Sequence, residues 1–183
     1  MKAADVRVEM WTGSQLAARV DEAMQIYVQA MNYPRYTGTQ RAITTRRHVS
    51  HAGFGCRVAL DDNDVLLGFG YGYTTLAGQW WHDLVRRALT PEREEWLVDA
   101  FELSEMHVLP KQQGHGIGRK ILTALAGDIP HRAMLLSTPD SDTRAFRLYH
   151  GLGFVDLARN YLFPGDSRPF AVLGARLPLA NGN

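Results

Sequence analysis

The chain carries one cysteine, Cys56, so no intrachain disulfide can form and nothing in its covalent chemistry asks for an oxidising compartment. It has no apolar run approaching the roughly 20 residues that cross a bilayer. Met1, Lys2, Ala3, Ala4 and Asp5 lead into alternating polar positions rather than the apolar core of a secretion signal. These absences point to a cytoplasmic protein without a membrane partner. A formal net charge of +1 removes the electrostatic argument for nucleic acid. Seven histidines are scattered without metal-ligand spacing, and His48 with His51 fits a solvated helix face, so no metal is expected.

What is present is an ordinary globular balance, 45% hydrophobic and 21% charged residues in 183. That length supports one domain with a real core, expected to span 1–183 with a helical insertion at 79–99 and a flexible tail at 178–183. Arg41, Arg46, Arg47 and Arg57 gather early, and Glu92, Glu94, Glu95, Asp99, Glu102 and Glu105 gather in the middle. Solvated helix faces account for most such runs.

Val6, Val8 and Met10 alternate as a half-buried strand does, and from Leu16 the apolar residues Val20, Ala23, Met24, Tyr27 and Met31 recur at helical spacing. A second helix over 41–52 has a thin apolar face, Ala42, Ile43 and Val49. Residues 56–60 and 65–73 flank Asp61-Asp62-Asn63-Asp64 and read as an antiparallel hairpin. Strands follow at 101–108, 133–136, 154–158 and 170–177, with helical faces at 117–126 and at Ala145, Leu148, Tyr149 and Leu152. The βα alternation in the middle implies a partly parallel sheet in a mixed α/β fold.

The six residues Gln113-Gly114-His115-Gly116-Ile117-Gly118 join the strand at 101–108 to the helix at 117–126. Glycines here tolerate positive backbone torsions and let N–H groups converge, and the helix start adds the positive end of its dipole, so the turn suits a phosphate. A P-loop needs two glycines four residues apart followed by Lys and Ser or Thr, whereas Gly118 is followed by Arg119, Lys120 and Ile121. A dinucleotide fingerprint needs a third glycine three places after the second, and position 119 is Arg. What remains is Gln-x-x-Gly-x-Gly at Gln113, Gly116 and Gly118.

That pattern resembles the acyl-CoA loop of the GNAT superfamily of N-acetyltransferases. A second segment, Asp142 to Phe154, matches the family's Asn-x-x-Ala-x-x-x-Tyr and following Gly-Phe at Ala145, Tyr149, Gly153 and Phe154, with Asp142 where Asn is usual. The resemblance implies a GNAT fold, a mixed central sheet of about six or seven strands flanked by helices. It also implies acetyl-CoA as cosubstrate, transfer to a primary amine without a covalent intermediate, and an amine-bearing small molecule or peptide as partner. Cys56, without a nearby His in sequence, reads as a buried structural thiol.

Site residues follow from the same resemblance. Tyr149 would protonate the departing thiolate, an uphill transfer of roughly 2 kcal/mol in water. The plainer reading of Tyr149 is a ring packed under the sheet. Glu102, eleven residues ahead of Gln113, stands where histone-type relatives carry a base, with Glu105 and His107 as alternatives that strict alternation places on the opposite face unless a strand bulge intervenes. Main-chain groups of Met106, His107 and Val108 would meet pantetheine; Gln113, Gly114, His115, Gly116, Ile117, Gly118 and Arg119 would hold the pyrophosphate, with Lys120 reaching it or remaining solvated. Asp142 lies near the cofactor or caps the following helix. Tyr33, Tyr36, Tyr71, Tyr73, Trp80, Trp81, Tyr161 and Glu105 would line the acceptor pocket, although aromatic residues are more often plain core. Three functions stay open: an acetyltransferase of protein or peptide amines, an aminoglycoside-type detoxifying acetyltransferase, and a CoA-binding module without turnover. A homodimer is compatible with each.

Overall fold

Thr12 starts the first helix with a capping box: its hydroxyl accepts from Gln15 N at 3.2 Å while its own N–H donates to Gln15 Oε1 at 2.7 Å. A computed structural model describes residues 6–180, so Met1 to Asp5 and the last three residues of the expected flexible tail lie outside the described residues. The helical run expected from Leu16 to Met31 is two helices, α1 (Gly13–Ala18) and α2 (Val20–Met31). They break at Arg19, whose guanidinium is held over the Trp11 ring and by the carbonyl of Asp64. The buried face of Leu16, Val20, Ala23 and Met24 nevertheless continues through the break.

The next helix, α3 (Arg35–His48), begins after Pro34, six residues earlier than the apolar pattern suggested. The pattern misled because its buried residues are Gly38, Ala42 and Thr45, small or polar rather than large and apolar. Gly38 is required by proximity: a Cβ there would stand 2.9 Å from Val28 Cγ2 of α2.

The expected hairpin is β2 (Gly55–Leu60) and β3 (Leu66–Thr74), with Asp61 Oδ1 accepting from Asn63 N and Val65 N to close the turn. β1 (Arg7–Met10) pairs antiparallel with β2. Further along come α4 (Trp80–Ala88), a 3-10 turn at Pro91–Leu97, β4 (Ala100–Val108) and α5 (Ile117–Asp128). The chain then forms β5 (Ala133–Pro139), α6 (Arg144–Gly151), β6 (Val155–Tyr161) and β7 (Phe170–Arg176). The strands form one mixed seven-stranded sheet of order β1-β2-β3-β4-β5-β7-β6, in accord with the expected mixed α/β fold. The pair β4–β5 is parallel, Ala100–Glu102 against Ala133–Leu135, while β5–β7 and β6–β7 are antiparallel. No helix among the described residues is long and apolar enough to cross a membrane.

The chain divides into two compact units. The first combines residues 6–73 with Ser104–Ile129. Leu16, Met24, Phe69 and Tyr71 anchor its core on one side, and Leu67, Val108, Ile117 and Ile121 form a second cluster under α5. Cys56 is buried in the first of these clusters, and desolvation pushes its thiol up to about 12. The second unit combines Thr74–Leu103 with residues 130–180, and its core joins Trp81, Val85 and Leu97 to Leu135, Leu157 and Val172. The insertion at 79–99 therefore contributes core residues to the second unit, half as α-helix and half as 3-10 turn.

Gly68 of β3 sets how closely β4 and α5 approach, because a Cβ there would lie 2.9 Å from the carbonyl oxygen of His107 and 3.2 Å from Ile121 Cδ1. Backbone cannot yield as a flexible side-chain tip can. Gly68→Ala is expected to destabilise the fold by about 1–3 kcal/mol in urea denaturation; a variant as stable as the parent would refute the close packing at this point.

Candidate active site

The loop after β4 is built on two left-handed glycines, Gly114 (φ 83°) and Gly116 (φ 80°). A side chain at either would be strained in that conformation. Gly116 caps α5, and the first intrahelical bond runs from Lys120 N to Gly116 O at 3.0 Å. The N–H groups of Ile117 and Gly118 thus have no acceptor within the helix and suit an anion. The side chains divide differently from the sequence pattern. Gln113 Nε2 donates to Val108 O at 3.1 Å, so its amide ties the loop back to the strand, and Ile117 is buried beneath it. His115 Nδ1 lies 3.2 Å from Gln112 O. Arg119 and Lys120 are exposed, beside the helix start. Glycine cradle, helix start and flanking cations together fit a pyrophosphate.

At the second motif, the cap of α6 is Thr143, whose hydroxyl accepts from Phe146 N at 3.0 Å. Asp142 instead pairs with Arg147 at 2.8 Å, which corrects the capping alternative for this residue. Both residue types make good caps, and the backbone enters the helix one position later than Asp142 requires. Tyr149 is 5% exposed, with its ring centroid 5.6 Å from that of Phe154. Ala145, expected on the buried helical face, is exposed. Gly153 turns the chain into β6 at φ 93°.

β4 carries two buried glutamates. Glu102, 4% exposed, lies in register with Leu135 of β5. Glu105, 7% exposed, uses both carboxylate oxygens: Oε1 receives the Arg41 guanidinium of α3, and Oε2 accepts from His107 Nε2 at 2.6 Å. A carboxylate can only accept, so Nε2 of His107 carries the proton of this bond. Burial alone would raise the Glu105 carboxyl, but the Arg41 charge and the His107 N–H outweigh it and hold it at about 2. Arg41 is raised in turn, first by the Glu105 charge.

Around this pair lies a polar network. The Tyr71 hydroxyl sits 3.1 Å from Thr45 Oγ1 and 3.0 Å from His48 Nδ1, and Ser104 Oγ approaches the same nitrogen at 3.5 Å. Burial, then the Arg41 charge, lowers His48 to about 4, so the imidazole is neutral at pH 7. Burial likewise raises Tyr71, with Glu105 adding to it. Ser104 and Glu105 are consecutive, yet both reach side chains of α3. Regular alternation is therefore broken at this point of β4, and the premise that placed Glu105 opposite Glu102 does not hold there.

Of the expected acceptor residues, Tyr33, Tyr36, Tyr73 and Glu105 belong to the first unit and Trp80 to the second. Tyr33 meets the Tyr27 ring edge-on at 5.5 Å, and Tyr27 meets His107 at 5.1 Å, which links Tyr33 to Glu105. Tyr73 is buried and stacks on His51 at 4.5 Å, with His48 at 4.9 Å. Tyr36 is 66% exposed, whereas Trp80, 63% exposed and 5.9 Å from Phe163, belongs to the second unit. Arg41, Thr45 and His48 were missed as site neighbours. The only signal for them was the spacing of Arg41, Thr45 and His48, which puts three polar residues on one helical face. His48 is half-buried in this network rather than part of a solvated face. No group of metal ligands occurs among the described residues.

These environments set the acid response. His48 falls from 6.5 to about 4 in the fold, so the unfolded chain takes up a proton first and stability declines as pH drops through that window. Glu105 falls from 4.5 to about 2, so its contribution is complete above 4.5 and is lost below it. Urea unfolding across pH should show both losses, and His48→Gln should flatten the upper one; an unchanged slope in that variant would reject the buried, neutral His48.

The acetyltransferase (GNAT) domain family matches residues 52–156 of this chain. A GCN5-like protein acetyltransferase of Mycobacterium tuberculosis is 36% identical over 196 aligned residues, covering 91% of this chain and 95% of that protein. Among solved structures, YncA of Salmonella typhimurium with its cofactor acetyl-CoA superposes with a TM-score of 0.66 at 16% identity, over 95% of each chain. The ribosomal-protein-S18-alanine N-acetyltransferase of Escherichia coli does so at 0.63 and 17% identity, over 97% of each. These two share the fold; the family match and the mycobacterial relative carry the rest, and the chain belongs to the GNAT acetyltransferase family.

Proposed function

We propose that this protein transfers an acetyl group from acetyl-CoA to a primary amine of a protein or peptide, by direct attack within a ternary complex. The observation that carries the donor is the left-handed glycine loop at residues 113–118 opening α5. The protein or peptide acceptor is supported by the relative named as a protein acetyltransferase, which covers nearly the whole chain. The cofactor supplies an activated thioester. Main-chain groups of Met106–Val108 orient its pantetheine, while the loop N–H groups, with Arg119 and Lys120 beside them, hold its phosphates.

An alkylammonium acceptor must first lose a proton, which costs about 4.6 kcal/mol at pH 7. Glu102 takes that proton in this reading, since it is buried on β4 at the position where the family resemblance puts a base, whereas Glu105 is already engaged by Arg41 and His107. The amine nitrogen then attacks the thioester carbonyl carbon, the C–S bond breaks, and Tyr149 gives its hydroxyl proton to the departing thiolate. The second proton of the attacking nitrogen passes through water to the Tyr149 phenolate, leaving a neutral amide, and water removes the first proton from Glu102. Glu105, ionised and doubly engaged, is a wall of the site rather than its base.

The test is CoA thiol release with a panel of acceptors. Peptides with a free lysine or N-terminal amine should raise it above background, and free aminoglycosides should not. Reversal of that preference would favour the small-molecule reading, and tight CoA binding with no productive amine would remove the enzyme reading. Tyr149→Phe should lower kcat by about 10²–10⁴-fold and Glu102→Gln should lower it most below the amine's pKa. Full turnover by Tyr149→Phe, with chemistry rate-limiting, would end its role as acid.

A further inference from the structure

We infer that Arg41 and Glu105 are positioning residues: through the polar stripe of α3 they fix the irregular segment of β4 so that the main chain at Met106–Val108 is presented to acyl-CoA. This rests on the cofactor reading proposed above. The first ground is energetic. Removing two charges from water costs several kcal/mol per ion, and apolar groups of similar volume often serve a fold as well or better. Stability therefore gives no reason for a charge pair here, whereas definition of one geometry does.

The second ground is the form of the strand. A regular strand is fixed by its ladder, but where alternation breaks, the ladder no longer dictates how the following residues point. The break falls at Ser104–Glu105, immediately before the residues assigned to pantetheine. Both residues of the break are anchored to α3, Ser104 beside His48 and Tyr71, and Glu105 by Arg41 across 64 positions of sequence. Arg41, Thr45 and His48 recur at intervals of four and three, so one helical face supplies the α3 anchors, with Tyr71 of β3 beside Ser104.

The third ground is what lies beside the segment. A Cβ on Gly70 of β3 would stand 2.9 Å from Met106 Sδ, and one on Gly68 would stand 2.9 Å from His107 O. The segment is thus pressed against bare backbone on β3 while α3 holds it by its side chains. His107, hydrogen-bonded to Glu105 and edge-on to Tyr27, closes the arrangement from within the same three residues.

The experiment replaces the polar set by apolar groups, Arg41→Met/Glu105→Met/His107→Phe, and compares it with Arg41→Lys, which keeps the charge but loses the planar fork. Melting temperature, CoA affinity by calorimetry, and the KM for acetyl-CoA against kcat are measured on the full chain. The triple variant should melt at or above the parent temperature yet bind CoA about tenfold more weakly and raise the acetyl-CoA KM alike. Arg41→Lys should fold and show a smaller shift in the same direction, and it decides the matter if the triple variant does not fold. A folded triple variant, or failing that Arg41→Lys, with parental CoA affinity and KM would overturn the positioning role. A parent protein that binds no CoA would instead overturn the cofactor reading itself.

Discussion

Placing an ionised carboxylate inside a protein obliges its surroundings to supply charge and hydrogen bonds in return, and in this chain that obligation falls on one helix. Glu105 draws the Arg41 guanidinium inward, and α3 consequently presents Thr45 and His48 along the same face, where an ordinary amphipathic helix would present leucine or valine. Tyr71 and Ser104 satisfy those groups from the strands. The helix can approach at all because Gly38 and Ala42 keep its remaining inward positions small. A charge pair, a polar stripe and a departure from strand regularity are therefore one feature seen from three sides. Breaking any of them by single substitution leaves the others buried without partners, which is why the cluster behaves as a unit.

The cofactor loop works by the opposite means. In the proposed reading its binding groups are main-chain N–H groups, and its side chains mostly serve the loop itself: Gln113 returns to the strand and Ile117 is buried in the cluster under α5. One half of the site thus depends on backbone torsion and the other on side-chain electrostatics. The two halves tolerate change differently, since a loop glycine has no substitute of equal freedom, while a polar cluster can in principle be replaced whole.

That division also explains what the sequence disclosed. The loop was legible because glycine spacing between a strand and a helix leaves few conformational choices, and Gly114 and Gly116 do adopt the left-handed torsions that the pattern suggested. The hairpin was legible through Asp61 and its turn, and the later strands through their apolar runs. α3 was not, because its buried face is Gly38, Ala42 and Thr45, and a search for large apolar residues at helical spacing starts it too late. The relation between Glu102 and Glu105 was hidden for a different reason, since a break in alternation leaves no mark in composition. The choice between Asp142 and Thr143 as a cap turned on a single residue of register between two competent side chains.

Cys56 carries a consequence for how this enzyme can be watched. The chain's single thiol is buried and pushed up to about 12, so at neutral pH it is neither accessible nor nucleophilic. A chromogenic disulfide that reacts with free thiols will therefore see the CoA released by turnover and leave the folded protein untouched. The same reagent becomes a clock for the first unit under denaturing stress, because the sulfur turns reactive only when the sheet around it opens.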